Sequence, residues 1–149
     1  SNTNLKEVLH VILDINNYPL LFSECKEAKT LEQSGRYYSI YYLSIKAPWP
    51  VKNRDAIYES TTTISEDNKH ARVELKPIGH YQEEKKGLVR MYKGKGFWEL
   101  EDTAQGLVQV TYQFQSSPEG KIPAWLANSS VVSSPFNTLT NLRNILSMD

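Results

Sequence analysis

RYYSIYYLSIKAPWPVKNRDAIYESTTTISEDNKHARVELKPI, residues 36–78, contains the alternation from which the rest of the chain can be read. His70 to Ile78 alternates cleanly, with Ala71, Val73 and Leu75 on one face and Arg72, Glu74 and Lys76 on the other. Arg36 to Lys46 is dense in Tyr and Ile, and Asp55 to Ser65 carries three consecutive threonines; both have the composition of strands. Between these two lies Ala47-Pro48-Trp49-Pro50-Val51-Lys52-Asn53, a proline-bounded loop that cannot continue a ladder. Three strands in direct succession predict an antiparallel sheet.

Working outward, Lys26 to Gln33 reads as a strand closed by Ser34-Gly35. Gly79 to Gly87 is a polar connection, and Leu88 to Glu101 reads as one strand bent at Gly94-Lys95-Gly96. Leu107 to Gln115 alternates again, with Val108, Val110, Tyr112 and Phe114 on one face. Before the sheet, Asn4 to Asn16 has helical spacing of Leu5, Val8, Leu9, Ile12 and Leu13, with Asn4 and Glu7 as a capping pair. Pro19 is expected to end that helix, with a short helical turn from Leu20 to Cys25. After the sheet, Ile122 to Ser147 predicts a long helix whose stripe runs through Trp125, Val132, Phe136, Leu139, Leu142 and Leu146, with a kink at Pro135. Helices at both ends of six strands predict an α+β fold.

The chain has 149 residues, the size of one domain, with 40% hydrophobic and 23% charged residues. Seventeen Lys and Arg balance seventeen Asp and Glu. With no net positive field, nucleic acid is not an expected partner. Cys25 is the single cysteine, which excludes an internal disulfide and a thiolate metal cluster and suits a reducing, cytoplasmic setting. No apolar run is long enough for a bilayer, and no signal peptide is visible. The opening Ser1-Asn2 resembles a cloning remnant, which leaves room for a targeting segment already removed.

Signatures of catalysis are weak. His10, His70 and His80 lie far apart, outside any metal-ligand spacing, and there is no nucleophile elbow, P-loop or dinucleotide fingerprint. The sequence therefore predicts no metal, no cofactor and no catalytic residue. Lys85, Lys86, Lys93 and Lys95 flank one hairpin. Glu83 and Glu84 adjoin them and favour a solvated hairpin over contact with anionic headgroups. Arg54, next to Asp55, is expected inside the sheet, either in an ion pair bracing the loop or against a ligand. The C-terminal stretch mixes Trp125 and Phe136 with Ser129, Ser130, Ser133 and Ser134, a composition that suits core packing or a helix lying over a cavity.

Ala47 to Asp55 resembles the proline-rich loop and Arg-Asp pair of START (StAR-related lipid transfer) domains. Gly120 to Asn128 resembles the entry to their C-terminal helix, and Pro135-Phe136, Thr138-Leu139 and Asn141-Leu142-Arg143 its later turns; Trp98-Glu99-Leu100 fits the same register. The resemblance implies a helix-grip fold, a curved antiparallel sheet around a long C-terminal helix, with a hydrophobic tunnel between them. It implies binding or transfer of a lipid, sterol or similar molecule without catalysis, and transient membrane contact. The gate would lie between Pro48–Arg54 and the helix face bearing Trp125, Ser129 and Val132. The expected ligand-binding set is Trp49, Arg54, Tyr58, Val73, Leu75, Trp98, Val110, Tyr112, Trp125, Ser129, Val132 and Phe136. A cyclase- or aromatase-like enzyme acting on a polyketide, and a solid interaction module, are the competing readings on this fold. Members usually carry another helix and further strands before the first helix seen here. Residues 1–149 would then form one domain without them, with a sheet edge open to pairing between copies.

Overall fold

The structure is a computed structural model; it describes residues 4–47, 49–103, 105–115 and 138–147, with the side chain of Gln115 left aside. Helix α1 spans Leu5–Leu13. Asn4 caps it reciprocally: its side-chain oxygen accepts the Glu7 N–H at 2.9 Å, and its amide donates to the Glu7 carboxylate at 3.1 Å. A 3₁₀ turn, Ile15–Asn17, leads into α2, Tyr18–Leu21. Here Pro19 opens a helix and does not close one, because a missing N–H costs nothing in a first turn. The expected helical turn to Cys25 is correspondingly shorter, since β1 already begins at Cys25.

Seven strands follow among the described residues: β1 Cys25–Gln33, β2 Tyr38–Ile45, β3 Arg54–Ile64, β4 His70–Pro77, β5 Val89–Met91, β6 Lys95–Asp102 and β7 Val108–Gln115. Their order is β1-β2-β3-β4-β6-β7, antiparallel throughout, with β5 joined to β3 in parallel. The single bent strand expected from Leu88 to Glu101 is therefore two strands. Gly94, at φ +111°, breaks the ladder between them, and the short first piece pairs elsewhere. Gly96 must stay small, because a Cβ there would lie 2.4 Å from the Phe114 ring and 2.7 Å from the Gln113 carbonyl.

A helix over residues 138–146, α3, closes the described chain, and Leu142 enters the main core from it. Asn141 ties α3 to the end of α2 through the Leu21 carbonyl at 3.1 Å. The remainder of the helix expected over Ile122–Ser147, its kink at Pro135 and its entry at Gly120–Asn128 lie outside the described residues. The fold is the α+β helix-grip arrangement of a curved sheet with a C-terminal helix. Strand alternation gives the sheet two different faces. The inner face packs Leu5, Val8, Leu9 and Ile12 of α1 against Ala71, Val73, Trp98 and Leu100. The outer face holds a smaller cluster of Ile40, Tyr42 and Ile57.

Candidate ligand-binding wall

Register decides which side chains meet. Thr62, Val73, Trp98 and Tyr112 stand opposite one another across β3, β4, β6 and β7 and so form one row of the inner face. Leu75 sits one inward position along β4 on one side of that row, and Val110 one along β7 on the other. Tyr58 lies two inward positions along β3, opposite Tyr41. Of the twelve residues expected to touch ligand, Tyr58, Val73, Leu75, Trp98, Val110 and Tyr112 thus share one wall, and Arg54 stands at its end. Trp125, Ser129, Val132 and Phe136 lie outside the described residues. Trp49 is apart from the wall: its ring is 92% exposed on the β2–β3 loop. Pro50, which follows it, has no N–H to give a ladder, and the ring lies outside the strand register.

The wall is aromatic. Trp98 stacks on Tyr112 with centroids 4.3 Å apart, and Tyr58 meets Phe114 at 5.9 Å and Tyr41 at 5.8 Å. Tyr18 of α2 meets Tyr41 at 5.3 Å and Phe22 at 5.1 Å, and Phe22 reaches Tyr112. The Tyr18 hydroxyl donates to the Ile12 carbonyl at 2.8 Å. Burial pushes Tyr18, Tyr41 and Tyr112 well above the ordinary phenol range. They therefore remain neutral hydrogen-bonding groups at any physiological pH. Burial likewise raises the Cys25 thiol to about 11, so it is not an activated nucleophile. Thr62 Oγ1, on the same face, is buried without a hydrogen-bond partner.

Arg54 and Asp55 diverge because neighbours on a strand point to opposite faces. Asp55, on the outer face, receives Arg90 at two points, Nε to Oδ1 at 2.7 Å and Nη2 to Oδ2 at 3.3 Å. It also accepts the Tyr42 hydroxyl at 2.9 Å. Arg90 spends its other donors on the Gln82 and Glu83 carbonyls, which ties the 79–88 connection over the outer face. Arg54 shares the inward parity of Ala56 and Tyr58 and is 7% exposed. Its guanidinium donates to the Lys52 carbonyl. Burial alone lowers its pKa, whereas the Asp55 hydrogen bonds raise that of Arg90. The bracing ion pair expected of Arg54 therefore belongs to Arg90, a partner far along the chain that no local motif announces.

Surface depressions of about 510 and 310 Å³ lie elsewhere, lined mainly by outer-face residues of β4, β6 and β7 such as Arg72, Glu74 and Glu99. Arg72 pairs there with Glu74 and Glu99 and lies over the Phe97 ring, which lines the smaller depression; these are water-exposed ladder grooves. No cluster of metal-ligating side chains occurs among the described residues, and none of their helices is long and apolar enough to cross a membrane.

No protein-family model matches the chain. An uncharacterized protein of Pseudomonas aeruginosa is 43% identical over 120 residues, which are 80% of this chain and 58% of that protein. The chain thus spans little more than half the length of this curated relative. Among solved structures, the STAR-related lipid transfer protein of Xanthomonas axonopodis (fragment 25–204) superposes with a TM-score of 0.86 at 36% identity, covering 97% of this chain and 80% of that fragment. Human STARD10 shares the fold at a TM-score of 0.81 and 21% identity, over 99% of this chain and 60% of that one. The lipid transfer and protein localization domain of human StarD13 does so at 0.77 and 16%, over 99% and 74%. With the proline loop, the inward aromatic wall and the strand order in place, the chain belongs to the STAR-related lipid transfer (START) domain family.

Proposed function

We propose that this protein reversibly binds a lipid-like amphiphile against the inner face of its sheet, and carries it between membranes. The observation that carries this reading is the wall itself: Tyr58, Val73, Leu75, Trp98, Val110 and Tyr112 on one face of four strands. Burial of apolar ligand surface there contributes about 25 cal/mol per Å² before the ordering costs of binding. Native mass spectrometry of gently purified protein, with analysis of its organic extract, tests the proposal. One lipid, sterol or fatty acid per chain is the expected result. Protein that stays empty after incubation with mixed lipid vesicles overturns the reading.

Delivery to a membrane is the second half of the proposal. Trp49 is 92% exposed, and Lys46 and Lys52 on the same loop are exposed with it. The Asn53 carbonyl accepts the Val89 N–H at 3.0 Å, which brings this loop beside the connection bearing exposed Lys85 and Lys86. An indole suits the headgroup boundary because it combines an apolar body with a polar N–H. Each nearby lysine adds about 1 kcal/mol on an anionic surface, offset at residues 85 and 86 by the exposed Glu83 and Glu84, so the contact rests on Trp49, Lys46 and Lys52. Trp49→Ala is expected to weaken sedimentation with phosphatidylserine-containing vesicles about tenfold while leaving ligand content unchanged. Equal sedimentation of the two proteins removes Trp49 from the membrane contact.

A further inference from the structure

Arg54 sits in an electrostatic position unlike that of any other buried charge described here. It is 7% exposed, yet its hydrogen bonding among the described residues amounts to one backbone carbonyl, that of Lys52. A guanidinium has five N–H donors. No carboxylate among the described residues lies within ion-pair distance of it, and its neighbour Asp55 is committed on the opposite face to Arg90 and Tyr42. Arg90, itself buried, shows what the same group does when satisfied: a two-point carboxylate contact and two carbonyls. Removing a cation from water costs several kcal/mol unless an anion compensates.

The setting makes the asymmetry directional. Among the described strands the inward-facing positions carry two formally charged side chains, Arg54 on β3 and the half-buried Asp102 at the end of β6, opposite Val108. Arg54 is flanked across the sheet by Ile45 on β2 and Val89 on β5. The wall is thus an aromatic surface with its one positive charge at the end nearest the Trp49 loop, and Asp102 stands at the opposite end, away from Arg54. The geometry points to an anionic amphiphile as the ligand, its carboxylate or phosphate held by the Arg54 guanidinium and its chain laid against the wall from Tyr58 onward. Planar two-point recognition of an oxyanion is what arginine provides and lysine does not. This assignment rests on the lipid-binding reading above and narrows it to a ligand class.

Three probes with the same eighteen-carbon chain test it: oleate, oleoyl lysophosphatidate and oleyl alcohol, titrated by displacement of a fluorescent fatty alcohol. The protein is expected to bind one or both anions about tenfold to a hundredfold more tightly than the alcohol, in line with a charge-assisted hydrogen-bonded pair. Arg54→Met is expected to abolish that preference while keeping the alcohol affinity, and Arg54→Lys to restore it only in part. Preference for oleate alone identifies a fatty acid carboxylate, and preference for lysophosphatidate alone a phosphorylated headgroup. Equal affinity for alcohol and anions in the unsubstituted protein overturns the assignment, as does an anion preference that survives in Arg54→Met. Should Arg54→Met fail to fold, the anion-to-alcohol ratio of the unsubstituted protein and of Arg54→Lys decides. Failure of all three probes to bind counts against the lipid-binding reading itself and takes this assignment with it.

Discussion

Asp55→Ala lowers the unfolding free energy by about 3–5 kcal/mol, the cost of leaving one member of a buried ion pair without its partner. Both side chains are enclosed, that of Arg90 1% exposed and that of Asp55 0%. The loss is large against the roughly 5–15 kcal/mol that holds a domain together. It is measured as a fall in the urea midpoint at unchanged slope. Arg90→Ala is expected to match it, because it strands Asp55 and also frees the Gln82 and Glu83 carbonyls. Removing both charges, as Asp55→Leu with Arg90→Met, should cost clearly less than the two single losses added together, since neither charge is then buried alone. The same variants should speed amide exchange across residues 79–88, which Arg90 holds against the sheet. A single-variant loss below about 1 kcal/mol would mean that water already reaches the pair.

What the residues disclosed in advance follows the range of the interactions involved. Strict alternation in His70–Ile78 and Leu107–Gln115 placed Val73, Leu75, Val110 and Tyr112 on one face, because a period of two leaves no other face for them. The neighbouring positions Arg54 and Asp55 were bound to point apart for the same reason. The partner of Asp55 was not legible. Arg90 arrives through a parallel pairing of β5 with β3, Asp55 opposite Arg90, and parallel pairs have no hairpin turn to announce them. The break at Gly94 was visible as glycine, but its φ of +111° and the separate destination of Val89–Met91 were not. Pro19 was misread because proline both ends helices and opens them, and only the succeeding Leu20 and Leu21, as helix, distinguish the two. The proline loop was recognised from its residues, yet the outward position of Trp49 depends on backbone geometry that no alternation encodes.

Trp98→Ala is the second large loss, about 3–5 kcal/mol of stability from the transfer of the ring and the void left behind. The argument begins with enclosure. Trp98 is 0% exposed, stacks on Tyr112 at 4.3 Å and stands opposite Val73 on β4. Helix α1 belongs to the same cluster through Val8, Leu9 and Ile12. A ring covered on all sides by protein cannot be deleted without a cavity, and neighbours on a sheet collapse little because the ladder fixes their spacing. Trp98→Phe keeps part of the bulk and should recover a substantial share of the loss. The size of the effect also reads the extent of the ligand space. A loss within this range places Trp98 in solid core and leaves the ligand the portion of the wall around Tyr58 and Arg54. A loss near 1 kcal/mol would mean that the ring already borders open volume, so that the ligand's chain runs the full length of the wall to Trp98.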